Sequence, residues 1–140
     1  MLLNILIGAL LMLLTAAIHA GGMMFTLHWL RKPGGRLRQL LRRMHAYAVG
    51  EVVLVMFYVS LLEVLLWAVT YLALDAIQGL ERSFYFSMVT FTTLGYGEIV
   101  LDENWRLLSA FEAANGIIMF GWTTAIVIAA VQHAYFKEKS

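Results

Sequence analysis

The sequence predicts an all-α membrane protein with three transmembrane helices and one short re-entrant helix. Three observations carry that prediction. Apolar residues make up 61% of the chain and charged residues 14%, against roughly 45–50% and 25% in soluble domains. Three stretches, Met1 to Leu30, Ala46 to Leu74 and Trp105 to Phe136, exceed the ~20 residues that a helix needs to cross a hydrocarbon core. A fourth, Ser83 to Thr92, is apolar but too short to cross. With 140 residues the chain is read as one domain, and the absence of cysteine excludes disulfides and thiolate metal sites.

The first stretch, 1–30, contains no Asp, Glu, Lys or Arg. It is too long for a signal peptide and lacks the basic start of one, so it reads as an additional N-terminal transmembrane helix, tilted or bent near Gly21-Gly22. His19 lies inside it, either hydrogen-bonded to a neighbouring helix or sensing protons. Residues 31–45 form a basic cytoplasmic segment carrying Arg31, Lys32, Arg36, Arg38, Arg42 and Arg43 and no acid. Pro33-Gly34-Gly35 ends the first helix, and Leu37, Leu40, Leu41 and Met44 then share one helical face. That pattern suits an interfacial helix against anionic lipid headgroups at Arg31–Arg43, or a plain loop obeying the positive-inside rule.

The second stretch carries Trp67 and Tyr71 near one end, as in an aromatic belt, and two acids, Glu51 and Glu63. Glu63 is deep, where a charge costs about 2.5–3.5 kcal/mol on insertion scales, so it must face protein or hold a partner. Residues 75–82 are a polar connection. Glu81 precedes the short helix, where it favours a helix start. The last stretch holds Glu112 and two glycines, Gly116 and Gly121, which point either to bending or to close helix contact. Residues 137–140 read as a cytoplasmic tail.

Charge segregates along the chain. Asp75, Glu81, Glu98, Asp102 and Glu103 fall on the side where the short segment opens, while Arg31 to Arg43, Lys137 and Lys139 fall on the other. The positive-inside rule then places the N-terminus outside and the C-terminus in the cytoplasm of a multi-pass cell-membrane protein. Nucleic-acid binding has no support beyond the basic segment, and no set of nucleophile, base and oxyanion donors suggests an enzyme.

Between the short helix and the last stretch stands Thr90 to Gly97, Thr-Phe-Thr-Thr-Leu-Gly-Tyr-Gly. Glycine accepts positive φ, so alternating Gly95 and Gly97 with Leu94 and Tyr96 lets successive carbonyls point one way. Four such segments around one axis would stack rings of carbonyl oxygens able to replace the hydration shell of a cation. Irregular backbone at membrane depth must be enclosed by protein, and one chain is too small to enclose it.

Residues 92–98, Thr-Thr-Leu-Gly-Tyr-Gly-Glu, resemble the filter signature of tetrameric potassium channels, usually Thr-Thr-Val-Gly-Tyr-Gly-Asp. The resemblance covers roughly Ala46 to Gln132, and Gly116-Ile117, Phe120-Gly121 and Thr124-Ala125 resemble the inner helix of simple bacterial pores. It implies a potassium channel pore domain over 46–136, with outer helix, pore helix, selectivity filter and inner helix in a homotetramer. It further implies ion binding at Thr93, Leu94, Gly95, Tyr96 and Gly97, with potassium held by the Thr93 hydroxyl and the carbonyls of Thr93 to Tyr96. The Tyr96 ring would turn from the axis and pack on the pore helix. Thr92, Tyr85 and Glu98 would support the filter, with Tyr85 a donor to Glu98. Gly116 would be the inner-helix hinge, and Ile117, Phe120, Thr124 and Ile128 would share the pore-lining face, unless that stripe packs on another helix. Leu94 replaces the usual valine and Glu98 the usual aspartate, and Val89 stands where some relatives have glutamate. Glu63 and Glu112 are the intramembrane acids that could brace the pore helix through Ser87 or Thr90.

The expected function is passive, potassium-selective conduction, with no cofactor beyond the permeant ion. Two alternatives stand beside it: a weakly selective cation channel, and a non-conducting adaptor that keeps the pore fold. No arginine ladder marks a voltage sensor.

Overall fold

A computed structural model describes residues 1–31 and 45–136. Four helices follow in order: α1 (Leu2–Arg31), α2 (His45–Ala73), α3 (Leu80–Phe91) and α4 (Arg106–Phe136). The chain is all-helical over these residues, and α1, α2 and α4 are each long and apolar enough to cross a membrane. The basic segment expected as an interfacial helix, 32–44, and the tail, 137–140, lie outside the described residues.

Among the described residues, α1 packs on α2 and α4, and α3 packs on the same two helices from another side. Side-chain bonds fix the directions. Asn4 of α1 bonds the Asn104 carbonyl just before α4, and Thr15 meets Asn115, so α1 and α4 run parallel. α2 runs against both, with Glu63 beside His19 and Tyr71 beside Glu112. The start of α1 therefore lies at the same end of the bundle as the segment that follows Thr90–Gly97.

α1 stays helical through Gly21 and Gly22, and Gly22 faces the Val59 side chain of α2. Its packed face is a stripe of small and polar residues: Asn4, Gly8, Thr15, His19, Gly22 and Thr26, with Leu11 among them. Spacings of three and four put them on one side of the helix. Small residues let membrane helices approach, and the polar ones bond across the interface.

The core has two parts. Near α3 it gathers Leu11, Trp67, Tyr71, Phe86, Phe91, Leu108 and Met119 around the short helix. At the other end Val52, Met56 and Val59 pack with Ile18, Ile126 and Val127. The outward faces are strongly apolar, with Leu13, Leu54, Leu62 and Ile117 among many exposed side chains. Patches of that extent are stable only against lipid or further protein.

Candidate functional site: the re-entrant segment and its supports

α3 is a twelve-residue helix, about 18 Å long, too short to cross a bilayer. Ser83, Phe86, Ser87 and Phe91 form its buried face, at helical spacing, against α2 and α4. At its end Thr92 folds back, its hydroxyl donating to the Met88 carbonyl at 2.7 Å. The Val89 carbonyl accepts from two amides, Leu94 at 2.9 Å and Gly95 at 3.2 Å, and Thr90 accepts from Thr93 at 2.9 Å. The carbonyls left open at a helix C-terminus thus take the first amides of the segment that follows. Val89 acts here through its backbone, which its side-chain identity could not reveal.

From that anchor the backbone alternates. Thr93, Gly95 and Gly97 have φ of 60°, 54° and 87°, while Leu94 and Tyr96 between them keep negative φ. Threonine in the left-handed region is uncommon and costs about 1–2 kcal/mol. Strain of this kind persists only where surrounding structure enforces it, and it concentrates at functional sites.

At the far end the Tyr85 hydroxyl donates to Glu98 Oε1. This bond raises the Tyr85 phenol above its ordinary value, with smaller contributions from desolvation and from the charge on Glu98. A raised value keeps the donor protonated. The contact is therefore fully present below the ordinary phenol range near 10 and is lost only as pH climbs through the raised value. Tyr85→Phe is expected to leave the melting temperature nearly unchanged, because both partners are exposed.

Between these two ends the segment has little cover from its own chain. Tyr96 is 67% exposed, so its ring does not pack on α3 of the same chain. A cleft of about 350 Å³ opens between the segment, α3 and α4, with Tyr85, Val89, Thr93, Glu98, Arg106 and Ala113 on its walls.

Glu112 is the node behind α3. It is fully buried and accepts from the Tyr71 hydroxyl of α2 at 2.7 Å and from the Ser87 hydroxyl of α3 at 2.5 Å. Ser87 also lies 2.8 Å from the Val64 carbonyl, so one hydroxyl proton is shared between α2 and α4. Three helices meet at one carboxyl group. Glu112→Ala leaves the buried Tyr71 hydroxyl unpaired and is expected to cost about 1–3 kcal/mol, read as a fall in thermal stability in detergent. Glu112→Gln keeps an acceptor and should lose less. Among the described residues Glu63 shows no hydrogen bond to α3; its Oε1 lies 2.8 Å from His19 Nδ1, with both side chains fully buried.

Gly116 sits where α4 crosses the end of α3. A Cβ there would overlap the carbonyl of Phe91, the last residue of α3. Close approach of two backbones therefore requires glycine, and α4 remains helical through it. On the face turned from the bundle, Ile117, Phe120, Thr124 and Ile128 are all exposed, and the Phe120 ring meets Phe91 edge-on with centroids 5.7 Å apart.

Thr15 and Asn115 join these contacts without having stood out in the sequence, while Tyr71, read there as part of an aromatic belt, is buried against Glu112 instead. The trace of Thr15 and Asn115 in the sequence is polar residues at three- and four-residue spacings inside apolar helices, as in Glu112 and Asn115.

A short helix that ends inside a three-helix frame, feeding a left-handed-alternating segment, defines a pore-loop membrane protein. Residues 49–133 match the ion channel family, and the chain belongs to it. Comparison with curated proteins and with solved structures returned no match.

Proposed function

We propose that the chain is a potassium-selective channel subunit and that four copies surround one conduction path. The observation that carries this reading is the alternation of positive and negative φ over residues 93–97, in a Thr-Leu-Gly-Tyr-Gly run anchored on the end of α3. Such alternation suits carbonyls turned toward one axis, where they replace the water around a dehydrated cation. The Thr93 hydroxyl and the carbonyls of Thr93, Leu94, Gly95 and Tyr96 would hold the ions, which pass down their electrochemical gradient.

Assembly is argued from the same residues. Non-helical backbone at membrane depth must be enclosed, yet Thr93 to Gly97 are exposed on one chain and Tyr96 has no cover. Further copies around a cyclic axis would supply that cover. The exposed stripe of Ile117, Phe120, Thr124 and Ile128 would then line the path below the filter. A ring of Phe120 or Ile128 side chains would close it by dewetting. Charge segregation supports a filter mouth on the outer side of the cell membrane, the N-terminus outside and the C-terminus inside. Arg31–Arg43 would meet anionic headgroups on the inner face.

Purified protein in liposomes should pass potassium down a gradient, with barium blocking the flux. Reversal potentials in mixed potassium and sodium should follow the potassium gradient. A reversal potential indifferent to which ion is graded would replace this reading with a weakly selective cation channel. No flux under any gradient would favour a non-conducting subunit.

A further inference from the structure

α1 lies outside the family-matched residues 49–133, yet its buried side chains reach residues inside them. Two contacts fall on α4. Asn115 Nδ2 donates to Thr15 Oγ1 at 2.8 Å, one residue before Gly116. His19 Nε2 meets Thr123 Oγ1 at 3.3 Å, beyond Gly121. The two anchor points therefore bracket both glycines of the helix.

His19 is also held from a third side. Its Nδ1 lies 2.8 Å from Glu63 Oε1 of α2. Glu63 adjoins Val64, whose carbonyl accepts from Ser87 of α3. The ring is further flanked by Trp122, with centroids 5.0 Å apart. One ring nitrogen is bonded to the Glu63 carboxyl group and the other to the Thr123 hydroxyl. The imidazole is thus oriented by α2 and presented to α4.

We propose that His19 is a positioning residue that latches the part of α4 beyond Gly121 to α2, so that α1 splints the helix lining the path. This rests on the reading that α4 lines the path and moves when the path opens. A bend at Gly116 or Gly121 leaves Asn115 in place and carries Thr123 away from His19. Thr15–Asn115 therefore survives the motion and His19–Thr123 does not. At that depth no water replaces the lost partner, so the latch opposes the bend. Thr15 serves assembly, while His19 sets how often the path opens.

Single-channel recording of Thr123→Val, His19→Gln and the double variant checks this. Thr123→Val keeps the side-chain shape and should raise the open-to-closed ratio about fivefold for each subunit whose α4 bends, the size of one net hydrogen bond. His19→Gln should raise it at least as much, and the double variant no further than His19→Gln alone. Reversal potentials should stay unchanged, and Thr15→Val should alter thermal stability without altering the ratio. An unchanged ratio in Thr123→Val, or strictly additive effects, would overturn the latch. A nitroxide at Ala129, exposed on the far part of α4, reads the motion without current. Thr123→Val should broaden its range of positions, and an unchanged spectrum counts against the proposal. A wild-type protein that passes no current would remove the conduction reading, and the nitroxide measurement then decides the latch.

Discussion

Replacing Gly95 with alanine is expected to abolish potassium-selective flux while the helical bundle stays folded. Gly95 has φ of 54°, and a Cβ there meets no atom of its own chain. The penalty is therefore conformational, about 1–2 kcal/mol for a side chain in the left-handed region. In the proposed assembly of four copies it would reach about 4–8 kcal/mol at a single level of the pathway. Rotation of φ to negative values relieves that strain and, on the proposed reading, would turn a carbonyl off the axis and remove a ligand from the ion. Liposome flux reads the loss, and circular dichroism with a thermal melt reads the intact bundle. Selective flux from the variant at the wild-type rate would show that the alternation does not hold ions.

Gly116→Ala should act differently, on the frame before the pathway. The obstacle is the Phe91 backbone carbonyl, which cannot swing away as a side chain can. α4 must withdraw from the end of α3, where the re-entrant segment begins. Overpacking of this kind costs about 1–3 kcal/mol, and a rigid obstacle places it at the upper end. Thermal stability should fall, as should recovery by size exclusion of the proposed four-copy species. Gly121→Ala is the matched control, since nothing lies within 4 Å of a Cβ there, and it should leave stability near wild type. If Gly116→Ala melts like the wild type, the close contact does not govern the packing of α4 on α3.

The helices were legible because bilayer thickness imposes a length that composition reveals. The apolar stretches of the sequence and α1, α2 and α4 agree to within a residue or so at most ends. The short helix begins earlier than its apolar run suggests, at Leu80, because Glu81 and Arg82 are tolerated in an exposed first turn. The Thr-Leu-Gly-Tyr-Gly run was legible because only glycine is at ease at the angles such a segment needs. The choice of partner by each buried polar group was not. Glu63 and Glu112 look alike in sequence, each an acid within an apolar helix. Glu112 takes Tyr71 and Ser87 because α4 faces both α2 and α3, while Glu63 takes His19 because its side of α2 faces α1. Hydropathy records that a group is buried and is silent on which helices are neighbours.

The parallel pairing of α1 with α4 also sets an order of events during synthesis. Asn4 and Thr15 find partners 100 residues later, and His19 meets Thr123 across 104. At about 5–20 residues per second, α1 waits roughly 5–20 s for α4 to be made. Thr15 can satisfy itself on the Leu11 and Met12 carbonyls of its own helix, but Asn4 and His19 have no such bond in the folded chain among the described contacts. Glu63 reaches His19 first, after 44 residues. A nascent hairpin of α1 and α2, closed by that pair, is thus the earliest intermediate the pairing allows, and α4 completes it last.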